Sequence, residues 1–195
     1  MKRIILGYWL IERYIRRHIR VSRFVYFHVP LIGRPLSLAL DRMLLICYGI
    51  DLMSSSIDVR ALSISHPGGI LLGGNGIVSA GRVAIMAGVK FVGRSPGDPE
   101  YLRRHAQRRV FCLGDNVVIG ANSVIVGPVD ICDNVIIGAL SLVNKSIEEP
   151  GVYVGIPVRM VAASVSDELF SHSSETSSSV GPMPVGLLVD SENGM

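Results

Sequence analysis

Leu113, Ile119, Ile125, Ile131, Ile137 and Val143 stand six residues apart, and this period narrows the possible folds more than any other feature of the chain. It matches neither the 3.6-residue turn of an α-helix nor the evenly spaced tight turns of a hairpin meander. Val117, Ser123, Val129, Val135 and Ser141 follow the first five aliphatic positions at four residues' distance, and all are small or β-branched. Gly114, Gly120 and Gly138 directly follow three of them. The spacing predicts a solenoid in which each hexad is one short strand and one corner. Every sixth side chain fills a narrow interior, and each coil buries its face only against the next. Leu72 and Val78, then Ile85 and Phe91, keep the spacing earlier in the chain, with one extra residue between the pairs that a bulge near Ser79 would absorb. The pattern stops at RSPGDPEYLRRHAQRRV, which reads as a loop, 94–110, pushed out of one corner.

The flanks differ. Ile4, Ile5, Tyr8, Ile11, Ile15 and Ile19 recur at helical spacing with Arg13, Arg16, Arg17 and Arg20 between them, and LSLALDRMLLICYGI predicts a second helix ending near Gly49. The first 42 residues hold nine Lys and Arg against Glu12 and Asp41, although the whole chain carries a formal charge of only +3. The charge is segregated, and with Tyr8, Trp9 and Tyr14 beside it the basic helix is read as a possible contact with anionic lipid headgroups. Three regions are expected: helices over 1–55, a β-helix over 56–163 and a flexible Ser-rich tail over 164–195, where His172 lies. Cys47, Cys112 and Cys132 form no CxxC pair, which fits a reducing cytoplasm rather than a disulfide framework or a zinc knuckle. The apolar run Ile4–Ile11 is cut by Glu12 and Arg13, so neither a signal peptide nor a spanning helix is expected. The basic helix carries no nucleic-acid-binding motif, so no nucleic-acid partner is expected.

One side chain breaks the apolar run LSISHPGGILLGG: His66. Pro67, Gly68 and Gly69 follow it and leave room for a ligand. Imidazole titrates near neutral pH, so its neutral form can take a proton from a hydroxyl at pH 7.

The segment LGDNVVIGANSVIVGPVDICDNVIIGALSLVNKSIEEPGVYVGIPVRMV resembles the hexapeptide-repeat acyltransferases, and SHPGGILL is similar to the catalytic-histidine segment of serine acetyltransferases and of polysaccharide O-acetyltransferases. The resemblance implies a mainly β fold, a left-handed parallel β-helix with three hexads per coil. That handedness runs against the usual crossover rule. It also implies a homotrimer and acetyl-CoA as co-substrate along the outside of the coils, against Gly120, Ala121, Gly138 and Ala139, with Lys145 and Arg159 near its phosphates. His66 takes the role of general base, and backbone N–H groups of the Gly-rich turns are the donors for the oxyanion. A second family histidine is matched only loosely, by His105. Serine acetyltransferases carry an aspartate where this chain has Ser65. That difference directs the expected acceptor toward a sugar hydroxyl in surface polysaccharide synthesis, with serine, as in cysteine biosynthesis, the alternative. A catalytically inactive scaffold remains open, as does a carbonic-anhydrase-type metalloenzyme; the latter needs three converging histidines, so no metal is expected.

Overall fold

The structure is a computed structural model that describes residues 2–95 and 97–163, with side chains from residue 10 onward. The expected tail, 164–195, and the side chains of Tyr8 and Trp9 lie outside the described residues.

Helix α1 (Lys2–His28) and helix α2 (Gly33–Tyr48) form an antiparallel pair. The helical spacing of α1 turns Ile15 and Ile19 inward, where they join Leu44 of α2 in the same core as the strands. A buried carboxylate fixes the pair. Asp41 Oδ1 accepts from Ser22 Oγ at 2.7 Å and from Ser54 Oγ at 2.5 Å, while Oδ2 accepts from the Ser54 N–H at 2.8 Å. Three donors answer the desolvation of this charge, and removing any of them would leave it underpaired. Gly49 ends α2 in the left-handed region, at φ 65°, and its N–H caps the Leu45 carbonyl at 2.9 Å.

The strands are β1 (Ile50–Leu52), β2 (Ile57–Ile64), β3 (Ile70–Leu72), β4 (Ile77–Ile85), β5 (Lys90–Gly93), β6 (Phe111–Leu113), β7 (Val117–Ile119), β8 (Val124–Gly127), β9 (Val129–Ile131), β10 (Val135–Ile137), β11 (Leu142–Val143), β12 (Gly151–Val154) and β13 (Arg159–Ala162). They stack in parallel on three faces. One face runs β1-β3-β5-β8-β11; a second runs from the first half of β2 through that of β4 to β6 and β9; the third runs from the second halves of β2 and β4 through β7 and β10 to β12. This is the β-helix that the hexads predict. The antiparallel strand β13 covers the free edge of β12 and ends the stacking. The first coil starts at Ile50, inside the span expected for the helices, and the loop 94–110 contains a helix, α3 (Pro99–Ala106), capped by Asp98.

The hexad residues are the interior. Ile119, Ile125, Ile137 and Val143 are fully buried, and Phe91 meets Phe111 edge-on at 5.0 Å between centroids. The small residues of the pattern serve the corners. Ser123 and Ser141 are buried, and Ser123 Oγ donates to the Gly138 carbonyl at 2.8 Å, stitching one coil to the next. The pairing of β2 with β4 shifts register between Val59–Ser79 and Ala61–Arg82, so a bulge does lie beside Ser79. The additional residue of this coil, counted between buried positions, sits in the Gly73–Gly76 turn: four residues separate Leu72 from Ile77, whereas three separate Ile125 from Val129.

Candidate active site

His66 lies on the corner that joins the third face to the first. In the later coils this corner is built to one plan, with three residues between the last buried strand residue and the next: Met86–Gly88 after Ile85, Gly120–Asn122 after Ile119, and Gly138–Leu140 after Ile137. In the first coil five residues, Ser65–Gly69, separate Ile64 from Ile70. Backbone hydrogen bonds locate the surplus. The Ser65 N–H donates to the Ile85 carbonyl at 2.9 Å, as those of Met86 and Gly120 do to Ile119 and Ile137 in the coils beyond. On the far side of the corner the Gly88 N–H donates to the Gly68 carbonyl at 2.9 Å, as that of Asn122 does to Ala87 and that of Leu140 to Ala121. Ser65 therefore stacks with Met86, Gly120 and Gly138, and Gly68 with Ala87, Ala121 and Ala139. His66 and Pro67 have no counterpart. They form a two-residue insertion that leaves the column, with His66 exposed and its backbone in the left-handed region at φ 55°.

The insertion puts an imidazole at the head of a column of small residues. Adjacent strands of a sheet are about 4.8 Å apart, so Ala87, Ala121 and Ala139 mark successive steps of that height along the corner. Four of the sequence-derived cofactor positions thus share the corner of His66, but for two reasons. A Cβ on Gly120 would sit 2.5 Å from the Ala139 nitrogen, and one on Gly138 would sit 2.6 Å from Val154 Cγ1. Close stacking against backbone requires Gly120, while Gly138 leaves room for the Val154 side chain. Ala121 and Ala139 are the outward members, and they keep the corner low. Met86 and Ala87 complete the column between His66 and Gly120; the sequence reading passed over them because the irregular second coil hides the hexad frame. Counting between buried positions recovers them.

The other sequence-derived residues lie elsewhere. His105 is exposed on α3, its ring 5.5 Å from that of Tyr101, at the corner between the first and second faces. Lys145 is exposed at that same corner, where Arg94 Nη2 donates to the Asn144 carbonyl at 3.1 Å. Arg159 is exposed on β13. One chain therefore does not bring His66 together with His105 or Lys145. His18 is used structurally, its Nε2 2.9 Å from the Leu40 carbonyl oxygen, and His28 stacks on Phe24.

Charge on the coils is paired or muted. Asp115 Oδ1 accepts from the Arg82 N–H at 2.7 Å and from the Asn116 N–H at 3.0 Å, and these bonds, backed by the Arg82 side chain, hold its carboxyl below the usual carboxylate range. Arg104 of α3 donates to Asp130, and that bond holds its guanidinium above its ordinary range. Burial pushes the Cys132 thiol up, which disfavours the thiolate a nucleophile requires. Among the described residues no group of three His, Cys, Asp or Glu side chains could hold a metal ion.

Comparison with known proteins adds to this geometry. Residues 113–145 match the family model described as bacterial transferase hexapeptide (six repeats). A serine acetyltransferase of Synechococcus elongatus is 30% identical over 143 residues, 73% of this chain and 53% of that protein. The serine acetyltransferase of Neisseria gonorrhoeae, solved in complex with serine, is 25% identical and superposes with a TM-score of 0.61 over 74% of this chain and 54% of that one. That of Brucella abortus shares the fold at a TM-score of 0.63, with 21% identity, over 79% and 58% of the two chains. The chain spans about half the length of the relatives it matches. These likenesses overturn the sugar acceptor expected from Ser65. The relatives are serine acetyltransferases, and they favour the serine alternative.

Proposed function

Since this chain belongs to the hexapeptide-repeat acyltransferase superfamily, we propose that it transfers the acetyl group of acetyl-CoA to the hydroxyl of L-serine, with His66 as general base. The observation that carries the proposal is the His66–Pro67 insertion at the head of the Ala87–Ala121–Ala139 column. It joins an imidazole to a column of small residues along which an extended thioester can lie. The imidazole takes the serine hydroxyl proton as that oxygen attacks the thioester carbonyl. An ester C–O bond forms, the C–S bond breaks, and the imidazolium returns its proton to the departing CoA thiolate. Backbone N–H groups of a glycine-rich turn such as Gly68–Gly69 are the kind of donor that stabilises the oxyanion.

A homotrimer in the cytoplasm belongs to the same reading. A three-faced coil has three corners, and a three-fold arrangement can bring the His66 corner of one chain toward the neighbouring chain's corner bearing His105 and Lys145. Lys90, whose Nζ donates to the Gly88 carbonyl at 3.0 Å, already stands beside this corner, and the neighbour would add further basic side chains, with Arg159 at the C-terminal end of the column.

The test is release of free thiol from acetyl-CoA by the full chain, with L-serine compared against a panel of sugars. Serine-dependent turnover that disappears in His66→Ala supports the reading. Turnover with sugars and none with serine, or serine turnover unchanged in His66→Ala, overturns it.

A further inference from the structure

The α1–α2 hairpin carries a surface that acetyl transfer does not use. Its tip ends in Pro30, Leu31 and Ile32, and large apolar side chains crowd it: Leu31 is 99% exposed, Ile32 61%, Phe24 59% and Phe27 50%, with Leu36 following one turn into α2. Leu31 also has φ 63°, a left-handed backbone that a bulky residue rarely adopts, so the turn presents its side chain outward at a conformational cost. Water is a poor surrounding for such a cluster.

The charge around the tip is mainly basic, with Asp58 of β2 pairing Arg23 at 2.8 Å. No Asp or Glu occurs between Glu12 and Asp41, while Arg13, Arg16, Arg17, Arg20, Arg23 and Arg34 all fall in that interval. Arg23 lies over the Phe27 ring at 5.8 Å and Arg34 over Tyr26 at 5.8 Å, so guanidinium groups flank the aromatic side chains. Between α1 and β2, Arg16, Arg20, Phe24, Phe27 and Arg60 line a shallow groove together with the Arg23–Asp58 ion pair. Two copies meeting through this patch would oppose like charges, whereas an anionic, apolar-centred surface complements both features. No described helix is long and apolar enough to cross a membrane.

We propose that the hairpin tip docks on an anionic lipid bilayer, with Phe24, Phe27, Leu31 and Ile32 entering the headgroup–acyl boundary and Arg20 and Arg34 meeting the phosphates. The contact moves from the start of α1, where Tyr8 and Trp9 suggest it, to the opposite end of that helix.

Flotation of the full chain with phosphatidylcholine vesicles, with and without about one-third phosphatidylglycerol, tests this. The expected result is binding to the anionic vesicles only, weakened by high salt. Phe27→Ser combined with Leu31→Ser should lower the bound fraction about tenfold or more, because two exposed anchors are lost without disturbing the core. Arg20→Gln with Arg34→Gln should lower it by a similar factor. Thermal melts and acetyl transfer, measured alongside, should remain at the wild-type level for both pairs. Equal binding to neutral vesicles, or none to anionic ones, overturns the proposal. So does a solution mass that falls when Phe27 and Leu31 are replaced, which would assign the tip to a second copy. Because binding is read without acyl transfer, it stands or falls apart from the serine acetyltransferase reading.

Discussion

The corner at Ser65–Gly69 and the corner at Gly120–Asn122 belong to one column, share the same interior and the same ladder of backbone hydrogen bonds, and differ by two residues. Where the corner is short, stacking and backbone geometry constrain it: Gly120 because a Cβ would strike the next coil, Asn122 because its backbone turns through φ 58°. Where it is long, the surplus pair escapes the stack. A solenoid tolerates this because each corner contacts only its neighbours in the coils on either side, so an insertion costs little beyond its own loop. Regular coils supply rigidity, and the irregular one supplies the group that can do chemistry.

The largest effect that would sharpen this contrast is on activity. His66→Ala should lower kcat/KM about 10²–10⁴-fold, the range for loss of a positioned general base, while leaving the melting temperature unchanged, because the side chain is exposed. A matching loss of stability would mean that the insertion is part of the stack after all. The converse holds for Ile119, fully buried beneath the short corner. Ile119→Ala should reduce the unfolding free energy by about 2–5 kcal/mol in denaturant titration, with turnover per folded molecule preserved. A smaller change is expected from Ala121→Leu, which raises the low column without touching the interior: KM for acetyl-CoA should rise several-fold, a cost of about 1 kcal/mol, with kcat nearly constant. An unchanged KM would remove the column from the cofactor's path. The smallest effect concerns Asp115. Its carboxyl is held low in the folded state, so its contribution is present above the ordinary carboxylate range and is lost as pH falls through the lowered value. Asp115→Asn should make the acid limb of a pH–melting profile shallower below about pH 4, with a shift of about 1–2 °C near neutrality.

Much of this architecture is legible in the residues. The hexads from Leu113 to Val143 announce the coil because a narrow interior is filled by aliphatic side chains at fixed intervals. The end of α2 is readable from Gly49, whereas its start, expected at Leu36, falls at Gly33. His66 stands out because an imidazole in an apolar strand-and-turn run requires a reason. The second coil was harder to read: Val78, counted as a hexad residue, is only half-buried, while Ile77 and Ser79 point inward. One residue in the Gly73–Gly76 turn was enough to move the frame. The network of Ser22, Asp41 and Ser54 had no sequence signature, since these residues are remote in the chain and ordinary one by one.

The sequence by itself determined the repeat and the interior and singled out His66 as the proposed base, because those depend on local spacing and on the chemistry of single side chains. Only the tertiary structure decided that His66 and Pro67 are surplus to their corner, that Ala121 and Ala139 face outward while Gly120 and Gly138 serve the stack, and that His105 and Lys145 occupy another edge. Stacking coils compares residues some twenty positions apart, and a count along the chain cannot make that comparison until hydrogen bonds fix which residue lies above which.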